Sequence, residues 1–196
     1  MPNPLPQKIT TPRLVLRTAN STDAPGLLNA TLDGYEDLVK WLGRPATPPN
    51  LRDVEQDIEH SSKQWDSREF LRFLIVSKAD DRILGRMGFP PQQCDWRVPC
   101  FGISYFIARS ANGSGYCTEA VNALTRYAFG ALKARRVEIK VDTDNSPSLR
   151  IPRKLGFELE ATQKGIWPRP DKTELATFQT FCVFDTANLP SLDVSW

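Results

Sequence analysis

The order of segments in the chain predicts an α/β layer fold built on a mixed sheet. Two observations carry this: hairpin-linked strands in the first half, and one strand, helix, strand crossover in the second. Length and composition agree. At 196 residues the chain is about 1.3 times a usual domain, so one domain is expected. With 40% hydrophobic and 24% charged residues it can bury a core, and it is neither disordered nor fibrous.

Sixteen prolines cluster at 2–12, 45–49 and 90–99 and mark loops. Arg13-Leu14-Val15-Leu16-Arg17 alternates as a half-buried strand. Ser21-Thr22-Asp23-Ala24-Pro25 then opens a helical region reaching about Leu42. A polar helix follows from Leu51 to about Trp65, with Asp53, Glu55, Asp57 and Glu59 on its surface. Strands Leu71–Lys78 and Ile83–Phe89 flank the turn Ala79-Asp80-Asp81-Arg82. Phe101 to Ala108 is a strand feeding the polar loop from Arg109 to Gly115. From Thr118, Val121, Leu124, Ala128 and Leu132 recur at helical spacing, to an end near Lys133–Arg136 where cations suit the helix dipole. Val137–Val141 alternates as a strand, Pro147–Leu155 is a short helix ended by Gly156, and Leu175–Phe184 is the last strand. The tail from Thr186 carries no pattern.

Charge and cysteine content exclude several classes. A net charge of +2 is too balanced for a protein bound along a nucleic-acid backbone, so no direct nucleic-acid partner is expected. The longest apolar runs, such as Phe73–Val76, are far too short to span a membrane. No secretory signal is visible at the start, so a cytoplasmic protein is expected. Cys94, Cys100, Cys117 and Cys182 are expected as reduced thiols. With one histidine in the chain, no metal site is predicted. His60, among acids on the polar helix, is expected at the surface rather than in a hydrolase triad.

The segment Arg109-Ser110-Ala111-Asn112-Gly113-Ser114-Gly115-Tyr116-Cys117-Thr118-Glu119 carries the chemistry. Glycines 113 and 115 let the backbone approach a ligand, and the helix that follows offers unpaired N–H groups to an anion. A P-loop would need Gly-Lys-Ser/Thr, and a dinucleotide turn a third glycine where Thr118 stands. Neither is present.

This segment resembles the acyl-CoA pyrophosphate loop of GNAT-family N-acetyltransferases, especially the Rim-type branch that modifies protein N-termini. Four further stretches resemble that branch in register: Thr11–Arg17, Ile83–Phe89, Asn145-Ser146-Pro147-Ser148 and Lys154-Leu155-Gly156-Phe157. The resemblance spans about residues 10–184. It implies a GNAT fold: a mixed, mostly antiparallel sheet of about seven strands, splayed at the cofactor site, with helices on both faces. It implies acetyl-CoA as acyl-donor co-substrate, bound by the main chain of Phe106, Ile107 and Ala108, by Asn112, Gly113, Ser114, Gly115, Tyr116, Cys117 and Thr118, and by Asn145 along the cofactor arm. The acceptor is a primary amine, either a protein N-terminus or a small amine such as an antibiotic or polyamine. A homodimer is a further possibility. A CoA-binding module without activity is the rival reading.

By the same resemblance Ser148 donates a proton to the leaving thiolate, although a hydroxyl there could instead cap the short helix. Many relatives carry a glutamate on the strand occupied here by Gly102-Ile103-Ser104, and this chain has none. Glu119, beside the cofactor loop, is the candidate base, although a carboxylate in the first turn of a helix ordinarily serves its dipole; Asp142 and Asp144 could also reach the splay, and Glu158 and Glu160 are expected as exposed strand residues. Cys117 at a helix start is expected to pack under the loop rather than act as a nucleophile. Residues 130–156 hold seven cations against three anions, an excess that could serve the cofactor's phosphates. Trp41, Trp65, Trp96 and Trp167 are expected on the acceptor side. The acids Asp33, Glu36, Asp37, Asp53, Glu55, Asp57 and Glu59 are consistent with a cationic acceptor.

Overall fold

The structure is a computed structural model that describes residues 4–168 and 174–196. Its elements run β1 (Lys8–Thr10), β2 (Leu14–Arg17), α1 (Ala24–Asp33), α2 (Tyr35–Leu42), α3 (Leu51–Asp66), β3 (Leu71–Ser77), β4 (Ile83–Phe89), β5 (Cys94–Asp95), β6 (Cys100–Gly102), β7 (Ser104–Ile107), α4 (Tyr116–Gly130), β8 (Arg136–Asp142), α5 (Ser146–Lys154), β9 (Glu158–Pro168) and β10 (Leu175–Val183). The strands form two five-stranded sheets, ordered β1-β2-β3-β4-β7 and β5-β6-β8-β10-β9. All pairings are antiparallel except β6 with β8, the crossover through α4.

The expected single strand over 101–108 divides at Ile103, and that division creates the splay. Before it, β6 pairs with β8 from Cys100↔Arg136 to Gly102↔Glu138, and the Ile103 amide donates to Glu138 O at 2.8 Å. After it, β7 pairs with β4 from Ser104↔Gly88 to Ile107↔Gly85, while β8 continues beside β10. A wedge therefore opens between β7 and β8. The short β1 and β5 and this division raise the strand count above the expected seven.

Local signals start and stop the helices. Asn20 caps the turn leading into α1 through a reciprocal box with Asp23, and Asn50 does the same for α3 with Asp53. Helix α4 begins at Tyr116, earlier than its apolar spacing suggested, and ends at Gly130, where Lys133 Nζ donates to the Gly130 carbonyl at 2.7 Å. Gly156 ends α5 at φ +75°.

Strand alternation sorts the core into two layers. Phe73, Ile75 and Met87 face α4, where Tyr127, Leu124 and Val121 are fully buried. Leu74, Val76 and Ile83 face α1 and α3, meeting Leu27, Ala30, Val54 and Ile58. Helices thus cover both faces. Trp65, expected on the acceptor side, is a core residue set edge-on to Phe73 at 5.0 Å, because its turn of α3 closes onto the sheet. The tail does have structure: Ser195 and Thr10 exchange backbone hydrogen bonds of 2.8 and 3.1 Å, and Trp196 meets Tyr127. His60 is exposed, as expected. Among the described residues no helix is long and apolar enough to cross a membrane, and no cluster of metal-ligating side chains occurs.

Candidate active site

The glycine-bearing bend sits at the open end of the wedge. Gly113 (φ +77°) and Gly115 (φ +78°) take left-handed conformations that other residues adopt at a cost, and a Cβ at Gly113 would meet nothing. Backbone conformation, not crowding, is what demands glycine at 113. Gly115 is the cap of α4, and no side chain accepts from the amides of the first turn, so these N–H groups and the positive end of the dipole face outward together. The bend is tied at both ends. Ser110 N donates to Asp33 Oδ2 at 2.9 Å, and Arg109 Nη2 meets Glu36 at 2.8 Å. On the far side Arg13 Nη1 donates to Ser114 O at 2.9 Å and its guanidinium lies 4.7 Å from the centre of the Tyr116 ring. Asn112, Gly113 and Ser114 are exposed, and Gly115, Tyr116, Cys117 and Thr118 half-buried. Amides, dipole and the Arg13 guanidinium beside Gly115 fit a diphosphate.

One edge of β7 is open to the wedge. Ala108 N donates to Leu84 O at 2.7 Å, and Phe106 lies opposite Arg86 in the same alternation, so the backbone groups of both turn toward β4. The groups aimed into the wedge belong to Ile107 and Tyr105. Of the three residues expected to bind the cofactor arm through the main chain, only Ile107 is free to do so along that edge.

Tyr105 was not singled out in the sequence. Its hydroxyl lies 2.9 Å from Ser148 Oγ, joining β7 to the first turn of α5 across the wedge. Burial, then the neighbouring Cys117, raise Tyr105 well above the usual phenol range, although the bond to Ser148 works the other way. The phenol therefore keeps its proton. Ser148 is not the cap of α5: Asn145 Oδ1 accepts from Ser148 N at 3.2 Å, which leaves the Ser148 hydroxyl to Tyr105. Asn145, expected along the cofactor arm, thus has its oxygen engaged in holding Ser148 in place. The Cys117 thiol is pushed up to about 12 by burial, which fits a packed residue and not a nucleophile.

The acids divide by partner. Glu119 accepts from Thr11 Oγ1 at 2.7 Å, from Arg13 N at 3.1 Å and from Arg13 Nε at 2.6 Å, so both oxygens hold the β1–β2 turn against α4. Glu160 is paired with Arg136, and Asp142 is buried with Asp144 N donating to its Oδ1 at 2.9 Å. The acids thought to favour a cationic acceptor are largely engaged. Asp33 and Glu36 hold the bend, Asp53 caps α3, Asp57 pairs with Arg72 and Arg86, and Glu59 pairs with Lys63. Trp96 packs on Phe101 and donates to Arg68 O, Trp41 lies against Lys40, and Trp167 is exposed.

The architecture and the bend define an acyl-CoA-dependent transferase, and comparison with known proteins agrees. Residues 13–158 match the family model described as acetyltransferase (GNAT) domain, and the chain belongs to that family. It is an N-acetyltransferase, with acetyl-CoA as the acyl donor of its family. An uncharacterized N-acetyltransferase p20 of Bacillus licheniformis is 31% identical over 156 residues, covering 79% of this chain and 84% of that protein. Among solved structures, a ribosomal-protein-S5-alanine acetyltransferase from Vibrio fischeri superposes with a TM-score of 0.78 at 17% identity, covering 93% of this chain and 99% of that one. The microcin C7 self-immunity acetyltransferase MccE, solved with acetyl-CoA and AMP, gives 0.78 at 21% identity over 89% and 93% of the two chains.

Proposed function

We propose that the acceptor of this acetyltransferase is the α-amine of a protein N-terminus, and that Ser148 and Tyr105 move the proton to the departing sulfur. The observation that carries the reading is the 2.9 Å pair between the two hydroxyls where β7 and β8 part. Acetyl-CoA, when bound, supplies the thioester carbonyl that the amine attacks. The first turn of α4 and Arg13 hold the phosphates, and the open edge of β7 at Tyr105 and Ile107 aligns the arm. As nitrogen bonds to the carbonyl carbon and the carbon–sulfur bond breaks, the proton lost by nitrogen has to reach sulfur. The Ser148 hydroxyl donates toward that sulfur, and Tyr105, kept protonated by burial, fixes its direction.

The missing strand glutamate favours an α-amine. A lysine amine near pKa 10 costs about 4 kcal/mol to deprotonate at pH 7, while an α-amine near 8 costs about 1 kcal/mol. Glu119 serves in this reading as an anchor of the fold rather than as the base. The resemblance to Rim-type structures supports the same acceptor, and we place the reaction in one cytoplasmic domain.

The test is thiol release from acetyl-CoA with peptide acceptors. Ser148→Ala should lower kcat about 10² with acetyl-CoA affinity unchanged. A peptide with a free N-terminus should outperform its N-terminally blocked, lysine-bearing counterpart. An unchanged kcat would remove Ser148 from the mechanism, and preference for lysine or a polyamine would overturn the acceptor.

A further inference from the structure

One cluster of charged side chains stands apart from the bend and from the Tyr105–Ser148 pair. It lies on the α1–α3 face of the sheet, on β3 and on β4, the neighbour of β7. Arg86 of β4 stands opposite Phe106 of β7, the neighbour of Tyr105. Arg72 of β3 points to the same face. Helix α3 presents Asp57, Ser61 and Gln64 toward them along one stripe. Arg72 Nη1 donates to Asp57 Oδ1 at 3.1 Å and to Ser61 Oγ at 2.6 Å, and Arg86 Nη1 donates to Asp57 Oδ2. Arg44, from the loop between α2 and α3, adds its charge to the same group.

Three guanidinium groups therefore share one carboxylate. Burial acts to raise Asp57, yet Arg86, Arg72 and Arg44 outweigh it and hold the carboxyl below its usual range. Arg72 is shifted down, first by burial and then by the charge of Arg86. The side chains of Arg72 and Arg86 are each 15% exposed, and each donates hydrogen bonds from Nη1 alone, the Arg72 guanidinium also lying over the Phe70 ring at 4.1 Å from its centre. Their Nε and Nη2 groups bond to no described residue. Among the described residues Gln64 Oε1 is the one buried side-chain polar atom without a partner, so the free guanidinium edges reach solvent. A planar fork of unused donors with surplus positive charge matches a carboxylate.

We propose that Arg72, Arg86 and Arg44 form a recognition site for an acidic residue that follows the acceptor amine, so that the preferred substrate is an N-terminus with Glu or Asp in its first few positions. The inference rests on the acceptor reading above. Helices α4 and α5 occupy the other face of the sheet, so the acceptor approaches the wedge across the face where these arginines stand. Asp57 holds the two β-strand arginines in place and competes with the incoming carboxylate.

The experiment uses the full chain and three amidated tetrapeptides with a free N-terminal serine, followed by two Glu, two Ala or two Lys. Thiol release gives kcat/KM, and calorimetry on the protein saturated with CoA gives affinity. The Glu peptide should exceed the Ala peptide by about tenfold, with the Lys peptide lowest. Arg86→Gln or Arg72→Gln should remove that advantage while changing the Ala peptide less than about twofold. Arg44→Gln, at an exposed loop position that cannot unfold the core, should reduce it in part. Asp57→Asn should enhance the Glu peptide, a direction that loss of a purely structural ion pair would not give. Equal values for the three peptides, or parallel losses on all of them, overturn the site. If no peptide releases thiol while CoA still binds, the acceptor reading falls, and the calorimetric ranking of the three peptides alone upholds or overturns the arginine site.

Discussion

Tyr105 and Phe106 are neighbours in the chain and look to opposite faces of one sheet, and the two faces carry polar groups of different kinds. On the α4–α5 side the polar groups around Ser148 are neutral: a phenol and a thiol raised by burial, and a serine hydroxyl bonded to the phenol. On the α1–α3 side they are full charges, Arg72 and Arg86 against Asp57. A departing thiolate is served by donors that stay protonated and carry no charge to desolvate. An acceptor is selected by groups that attract or repel it at a distance, which neutral hydroxyls cannot do. Strand alternation sets these two environments a single residue step apart, which is what the proposed division between proton donor and acceptor recognition requires.

On the α4–α5 side the bend is expected to give an effect at least as large as that of Ser148→Ala. Gly115→Val places a β-branched side chain at φ +78° over the first-turn amides, and acetyl-CoA affinity should fall about 10² or more while circular dichroism stays near wild type. Gly113→Ala, with open space around the added methyl, should show only a cost of about 1 kcal/mol in stability from its φ. If Gly115→Val bound acetyl-CoA normally, the amides would not be the anion site. Next, Tyr105→Phe should lower kcat about tenfold and leave acetyl-CoA affinity unchanged, because Ser148 keeps its hydroxyl but loses its partner. A fall in affinity instead would make Tyr105 a binding residue, and the contrast between the faces would weaken.

Glu119 separates anchor from base. Glu119→Gln should cost about 1–2 kcal/mol in denaturant stability through Thr11 and Arg13, with kcat reduced less than about threefold. A loss near 10² in kcat without destabilisation would restore it as the base.

The legible parts of this molecule are those whose signal is local. The bend is written in adjacent residues, since two glycines two apart before a helix leave few conformations. The cap at Asn145 was also within reach, because Asn followed by Ser-Pro is a helix start. What was missed depends on register between distant segments. Phe101 to Ala108 alternates without interruption, and nothing local says that Ile103 bonds to β8 while Ser104 turns to β4. Tyr105 looked like an ordinary strand aromatic because its partner lies 43 residues away. The acids of the first three helices suggested a cationic acceptor for the same reason. Arg72 and Arg86, on two strands, are brought to Asp57 only by the fold.

The smallest effect tests the neutral face by pH. The Cys117 thiol rises from an ordinary 9.0 to about 12 in the folded protein, so the folded chain holds a proton that the unfolded chain releases. Its contribution is complete below pH 9 and is lost progressively between 9 and 12. Wild type should therefore lose about 1 kcal/mol more than Cys117→Ala between pH 8 and pH 10, read from urea midpoints with a reductant present. Cys94, raised to about 11 by burial and then by Asp95, loses stability over a similar range and is present in both proteins, so it cancels in the difference. At pH 8 the Cys117 thiol keeps its proton, and iodoacetamide should label it far more slowly in the folded than in the unfolded protein. Rapid labelling in the native state would mean an accessible, charged sulfur beside Tyr105, and the wedge would no longer be the uncharged environment that a leaving thiolate needs.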